Sequence, residues 1–211
     1  MKIEYWSDFS CPFCYIGITR MKRVLAELGI DHVEIVMKAF QLEPYRTESQ
    51  RLNTVTLFMN KYRMPEKIAK EQIDKIHQAG KAEGLNIHYE NPIFSSTMDA
   101  HRLVKMAQEK YSQTIANDLV EKFYKAYFTD NLDLSDKAFL SETAKSTGIT
   151  DSDIQAVLTT MDYRNVVYIE QSQAQNRGIN LVPHFIIDRQ VELSGALSDE
   201  KIKEVLAKFI Q

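Results

Sequence analysis

The chain has 211 residues and a formal net charge of −3, from 26 Lys and Arg against 29 Asp and Glu. That balance excludes a nucleic-acid binder that depends on a general basic field. A chain this long buries enough surface to fold without disulfide staples. Its 7 Gly and 5 Pro are about half of ordinary usage, which favours long helices over an all-β sandwich or a disordered chain.

The elements follow from hydrophobic periodicity. Residues 2–7 (KIEYWS) alternate and predict a strand. Residues 12–29 place Ile16, Met21, Val24, Leu25 and Leu28 on one helical face, with Gly29 suited to a left-handed C-terminal position. Residues 33–40 carry Val33, Ile35 and Val36 and predict a second strand, completing a βαβ unit. Helices are then expected from Ile68 to Ala82, over 97–110 with Thr97 as N-cap, and over 114–128. Two shorter ones should start at Ser135 and at Thr150 or Ser152, and another runs over 163–177 to Gly178. Residues 184–188 and 191–194 read as two strands joined at Asp188-Arg189-Gln190. Residues 198–210 read as a closing amphipathic helix behind Ser198.

A βαβ start and a ββα finish sharing one sheet is the thioredoxin arrangement, an α/β fold with a large all-α insertion in its middle. The expected division is a thioredoxin-like part, 1–45 plus 179–211, around a helical insert, 46–178. Glu4, Ser7 and Asp8 break any leader-like apolar run. No segment approaches the ~20 apolar residues that span a bilayer. The expected location is the cytoplasm, provided no leader was trimmed, with no membrane partner.

The two cysteines are Cys11 and Cys14. In a reducing compartment a lone close pair points to catalysis or metal rather than to a structural bridge. Cys11-Pro12-Phe13-Cys14 falls where the first strand hands over to the first helix. Pro12 suits the first helical position, which makes Cys11 the N-cap. Its sulfur is expected to accept amides around Phe13 and Cys14 and to sit at the positive end of the helix dipole. Free thiols titrate near ~8.5, and C-x-x-C sulfurs at helix starts fall to ~3.5–7.5. Cys11 is therefore the expected nucleophile and Cys14, one turn deeper, the resolving thiol. Half of a zinc site is one alternative, but no two of His32, His77, His88, His101 and His184 have zinc-finger spacing. Two inert core thiols are the other, and a strand-to-helix C-P-x-C speaks against them.

Pro183 in LVPHFI stands at the entry to a predicted strand. It either simply starts that strand or follows a cis bond. In the second case the Val182 backbone would turn outward beside the cysteines and could pair with an extended substrate.

With these features in place the sequence resembles the DsbA-like thioredoxin-fold oxidoreductases, most closely their cytosolic FrnE-like branch. The stretches that carry the resemblance are IEYWSDFSCPFCYIG (3–17), FQLEP (40–44), SSTMDAHRL (95–103), KAYFTDN (125–131), LVPHFIID (181–188) and SGA (194–196). It covers essentially the whole chain. It implies a thiol–disulfide oxidoreductase with Cys11 and Cys14 as redox pair and Val182-Pro183 as a cis-proline element. The kappa-class glutathione transferases and hydroxychromene carboxylate isomerases share the fold but typically carry serine where Cys11 stands. Three departures stand out. Tyr5 occupies the position, six before the first cysteine, where thioredoxin-like proteins often have an acid, so Asp8 or a water would have to serve. His184 stands where the branch more often has an aromatic or apolar residue, and would either reach the sulfurs or cap a strand. The Pro-Phe dipeptide lacks the histidine of the periplasmic oxidants, which implies a less oxidising pair.

Among the remaining residues, Asp99, His101 and Arg102 either face the groove or form a local helix pair at i and i+3, the second being favoured. Glu43 reads as a solvated loop residue. Phe123, Tyr124, Tyr127 and Phe128 read as insert core, and Trp6 and Phe13 as an apolar border of the groove. The expected activity is disulfide exchange or isomerisation with protein or low-molecular-weight thiols. It requires no metal or organic cofactor, and glutathione is at most a thiol co-substrate. A glutathione-dependent isomerase or transferase is the alternative enzyme, and a chaperone-like peptide-binding module the non-enzymatic one.

Overall fold

The computed structural model describes residues 1–209. The chain begins with β1 (Lys2–Ser7), α1 (Pro12–Glu27) and β2 (Glu34–Ala39). Next come β3 (Gln50–Arg51), α2 (Thr54–Tyr62), α3 (Glu66–Ala82) and β4 (Ile93–Phe94). Five helices follow: α4 (Met98–Lys110), α5 (Gln113–Phe128), α6 (Lys137–Lys145), α7 (Asp151–Thr159) and α8 (Arg164–Asn176). It closes with β5 (His184–Ile187), β6 (Val191–Ser194), α9 (Asp199–Leu206) and a 3₁₀ turn, Ala207–Phe209.

The main sheet has the order β2-β1-β5-β6. β1 runs parallel to β2 and antiparallel to β5, with Trp6 opposite His184. This is the expected thioredoxin arrangement with a helical insertion. Local chemistry sets its corners. Pro12 opens α1 at a position where its missing N–H costs nothing. Gly29, at φ +67°, ends it, with Ile30 N–H returning to the Leu25 carbonyl at 3.0 Å. Asp188 and Arg189 both take positive φ, as a type I′ hairpin turn requires. The Asp188 carboxylate accepts the Lys2 N–H at 2.6 Å, which ties the turn to β1.

Some boundaries differ from the sequence expectation. The periodicity did not single out α2, because Thr54-Val55-Thr56 is β-branched and only Thr54 is buried; its start is set by the Asn53 side chain accepting Thr56 N–H. The two-residue strands β3 and β4 were also not expected. α6 is capped by Asp136 rather than Ser135. Thr97 stands at the N-cap of α4 without a side-chain capping bond. The last predicted helix gives way to the 3₁₀ turn, and its expected end at Ile210 lies outside the described residues. Among the described residues no helix is long and apolar enough to cross a membrane.

Buried ions weld the insert to the sheet. Lys105 on α4 donates to the Met37 carbonyl at 2.5 Å and pairs with Glu170 on α8 at 2.8 Å. Glu170 also accepts Ala39 N–H at 2.7 Å and pairs with Lys38 at 3.2 Å. Arg102 is buried, pairs with Asp99 at 2.7 Å, and donates to the carbonyls of Asp162, Val157 and Thr160. On the other side Arg20 and Arg23 of α1 converge on Glu83, the residue that ends α3. The main buried apolar cluster runs from Ile3 through Leu103 to Tyr127, and a small second one joins Ala39, Met98 and Val167.

Burial depresses the Lys105 ammonium to about 8, against the opposing pull of Glu170. The unfolded chain therefore holds this proton up to a higher pH than the folded one does. Stability from this group rises as pH climbs from about 8 toward the ordinary lysine value, and falls back as pH drops through that window. Lys105→Met removes the buried partner of Glu170, leaving it Lys38 and the Ala39 N–H, and should cost about 3 kcal/mol in urea denaturation at neutral pH. The difference in stability between wild type and variant should widen with pH across the same window.

Candidate active site

Cys11 closes the turn after β1 and is the N-cap of α1, with extended backbone (φ −96°, ψ 111°). Cys14 lies one turn into the helix. Both are free thiols. Cys11 keeps 6% exposure and Cys14 none, so an incoming molecule meets Cys11 first. The expected capping by the Cys11 sulfur is not made. Cys14 N–H takes the Cys11 carbonyl instead, at 3.0 Å, and the thiol is turned across the groove toward the Val182 carbonyl, 3.8 Å away. Burial, then the hydrogen bond and charge of the neighbouring Cys11 sulfur, push the Cys14 thiol well up. The Ser7 hydroxyl and the Asp8 N–H pull it part of the way back.

The Val182-Pro183 peptide bond is cis, and β1–β5 pairing sets it at the end of the strand that feeds Cys11. The Pro183 carbonyl accepts Gly195 N–H at 2.7 Å. α1 passes this loop so closely that a Cβ on Gly17 would lie 2.8 Å from Pro183 Cγ. His184 does not turn to the sulfurs. One ring nitrogen meets Ser194 Oγ at 2.7 Å and the other Glu192 at 3.0 Å, so it ties the β5–β6 hairpin.

Asp8 and His101 are both fully enclosed, with His101 Nε2 3.3 Å from the Asp8 carboxylate. Ser10 Oγ donates to that carboxylate at 2.7 Å and Leu42 N–H at 2.8 Å. Burial alone would raise the Asp8 carboxyl; the His101, Leu42 and Ser10 contacts hold it below the usual carboxylate range. Since Cys11 N–H bonds the Asp8 carbonyl at 3.2 Å, the pair fixes the cysteine turn. The Asp99-His101-Arg102 cluster thus divides: Arg102 with Asp99 is structural, while His101 reaches the site.

The other expected residues divide similarly. Pro12 is buried, and Phe13 and Leu181 stand exposed. Trp6 does not border the groove: strand alternation turns it to the far side of the sheet, where its indole N–H donates to the Glu170 carbonyl at 3.0 Å. Glu43 is less solvated than expected, pairing with Arg46 at 2.5 Å and Lys61 at 2.8 Å. Phe123, Tyr124, Tyr127 and Phe128 are insert core, but Tyr124 also bonds Ser7, a contact that apolar periodicity did not separate from packing. Among the described residues no three His, Cys, Asp or Glu side chains converge as a metal site requires.

Comparison with known proteins agrees with this geometry. The family model of the DSBA-like thioredoxin domain matches residues 2–207. The crystal structure of a probable DsbA oxidoreductase from Streptomyces coelicolor superposes with a TM-score of 0.89 at 31% identity, covering 99% of this chain and 89% of that one. A 2-hydroxychromene-2-carboxylate isomerase shares the fold at TM-score 0.72 and 14% identity, covering 99% and 96%. The cytosolic disulfide reductase DsbM from Pseudomonas aeruginosa, solved with GSH, shares it at 0.64 and 11%, covering 100% and 99%.

Gly17→Ala tests the close approach of α1 to the proline loop. In an exposed helix the change would gain about 1 kcal/mol. Here the new methyl meets a ring carbon, and overpacking of this kind costs about 1–3 kcal/mol. The expected outcome is a lower urea midpoint together with a several-fold slower disulfide exchange.

Proposed function

Because this chain belongs to the family of DSBA-like thioredoxin domains, we propose that it is a thiol–disulfide oxidoreductase or isomerase working through Cys11 and Cys14, in the FrnE-like branch. The observation that carries this reading is the pairing of a slightly exposed sulfur, facing the Val182 carbonyl, with a sealed one a turn behind it. The Cys11 thiolate attacks a substrate disulfide; that S–S bond breaks, a mixed disulfide forms, and one substrate thiolate leaves. Cys14 then attacks Cys11 Sγ, which leaves a Cys11–Cys14 disulfide and a second substrate thiol. The same steps in reverse oxidise a substrate dithiol.

The Val182 main chain beside Cys11 is where an extended substrate would pair, and Phe13 and Pro12 would flank it. Asp8 with His101 steadies the turn. Protein or low-molecular-weight disulfides are the substrate class, in a cytoplasmic setting. The exchange needs no metal or organic cofactor, and glutathione would serve as the thiol that returns the pair to its reduced state. The fold shared with a reductase solved with GSH supports that role.

Insulin reduction with single cysteine variants tests the reading. Cys11→Ser should lose activity by more than a hundredfold. Cys14→Ser should trap the mixed disulfide, visible by mass spectrometry as a covalent adduct on Cys11. Activity untouched by both substitutions overturns the proposal. Glutathione-dependent turnover that survives Cys14→Ser would instead favour the isomerase or transferase chemistry.

A further inference from the structure

We propose that a cleft beside the cysteine turn is a carboxylate subsite, in which Arg46 and Lys61 receive the anionic arm of the disulfide that Cys11 attacks. Glu43 competes with that arm for both cations. This rests on the exchange reading above and narrows its substrate class to low-molecular-weight disulfides that carry a carboxylate.

The cleft has a volume of about 500 Å³, within the ~300–1,000 Å³ of small-molecule sites. Asp8 and Ser10 of the cysteine turn bound it, with Glu43 and Arg46 of the loop after β2, Lys61 of α2, and Ser95 just after β4. Ser10 directly precedes Cys11, so this wall begins ~3.8 Å along the chain from the Cα of the nucleophile. Pro12, Phe13 and Val182 are not among its walls. It is therefore a second place, apart from the edge where an extended chain would pair.

Two cations share one carboxylate there. Arg46 Nε donates to one Glu43 oxygen at 2.5 Å and Lys61 Nζ to the other at 2.8 Å. A guanidinium has five N–H donors and an ammonium three, and among the described residues Glu43 is the acceptor for both side chains. Donors are left over for a second anion. Asp8 is the other charged wall residue, and its carboxylate is taken up by Ser10, the Leu42 N–H and His101. The cations are also held in place. Arg46 lies 5.7 Å from the Phe94 ring centre and Lys61 5.7 Å from that of Tyr62, contacts that fix a cation without neutralising it. Burial raises the Glu43 carboxyl, and Lys61 and Arg46 bring it back below the usual carboxylate range. The pair thus already stabilises one half-buried carboxylate of the chain itself. Ser95 is 5% exposed, and its hydroxyl has no partner among the described residues. A buried hydroxyl left so is costly, and a ligand oxygen in the cleft would relieve it.

Single-turnover oxidation of the reduced protein tests the subsite with three reagents of similar size. Dithiodipropionate carries a carboxylate on each arm, hydroxyethyl disulfide is neutral, and cystamine is cationic. Each converts the Cys11–Cys14 dithiol to its disulfide and is itself reduced to two thiols. The protein thiols remaining after acid quench are counted by alkylation and mass spectrometry. Each rate constant is divided by that of the same reagent with dithiothreitol, which removes intrinsic reactivity. So normalised, dithiodipropionate should exceed cystamine about fivefold, the size of effect that partly exposed ion pairs give, with hydroxyethyl disulfide between them. High salt should narrow the gap. Arg46→Gln and Lys61→Gln should each bring the ratio of dithiodipropionate to cystamine close to unity. Glu43→Gln should widen it about threefold, a gain that misfolding does not produce. Lys22→Gln removes a charge from α1 that pairs with Glu121 outside the cleft and should leave the ratio as it is. Equal normalised rates for the three reagents, a Glu43→Gln ratio that stays or falls, or a Lys22→Gln shift as large as that of Arg46→Gln overturns the subsite and leaves the exchange reading standing. Failure of all three reagents to oxidise the wild-type dithiol overturns both.

Discussion

The antiparallel pairing of β1 with β5 is the constraint on which the site depends. Cys11 and Val182 are 171 positions apart in sequence. They meet because Trp6 stands opposite His184, so the chain that leaves β1 and the chain that enters β5 do so at the same end of the sheet. Everything at that end is turn and helix start. Pro183 is tolerated there because it precedes the first ladder position and its missing N–H leaves no gap in the sheet. Gly17 is fixed by the same geometry, since α1 can reach the loop only where no side chain intervenes. A register slip of one residue would turn Tyr5 and Ser7 away from α1 and bring Glu4 and Trp6 under it.

The insert is part of this site and not an appendage to it. The two residues before the cysteine turn are both held by insert side chains: Ser7 by Tyr124 of α5 and Asp8 by His101 of α4. The docking is made specific by buried charges. Lys105 and Glu170 would each be costly to bury alone, and each is paired and hydrogen-bonded to a backbone group of β2, while Arg102 ties α4 to α7 and the chain after it within the insert. An apolar interface could slide by one helical ridge at modest cost. One that must satisfy an ammonium at the Met37 carbonyl and a carboxylate at the Ala39 N–H holds a single register, which places two insert side chains correctly against the cysteine turn.

The sheet, α1 and the cysteine pair were legible in the sequence because each rests on short-range chemistry. Proline at the first helical turn, glycine at its end and alternation along the strands act over a few residues. The capping of α1 by the Cys11 sulfur was misjudged for a related reason: the N-cap position is local, but the direction of the sulfur is set by Val182 from the far end of the chain. Trp6 was misplaced because an aromatic next to a cysteine turn says nothing about which face of the strand it takes, although counting alternation from the buried Tyr5 would have turned it away. His184 was ambiguous until its hairpin partners Ser194 and Glu192 were fixed in register. Tyr124 was hidden inside a stripe of apolar and aromatic residues, where periodicity reports burial and is silent on what a phenol hydroxyl meets. The asymmetry between Tyr124, bonded to Ser7, and Tyr127, whose hydroxyl has no partner among the described residues, exists only in three dimensions.

The chemistry near Cys14 follows from how a sealed thiol can be brought to react. Burial disfavours the thiolate, so some group must either receive the proton or stabilise the charge left behind. A carboxylate at position 5 would do the first at the cost of a second negative charge in the same enclosed space, where like charges raise each other's affinity for protons. Tyrosine at that position carries no such charge, and its ring adds to the core through Phe185. With the acid gone, the burden falls on donors. Burial and the Cys11 sulfur push the Cys14 thiol up, and the Ser7 hydroxyl and the Asp8 N–H pull it part of the way back without bringing a charge. The Asp8 N–H pulls the Cys14 thiol down, while His101, Leu42 and Ser10 hold the Asp8 carboxyl below the usual carboxylate range. The same residue therefore holds the turn through its carboxylate and lowers the Cys14 thiol through its amide, and with Tyr5 in place of an acid no second negative charge competes with the sulfur.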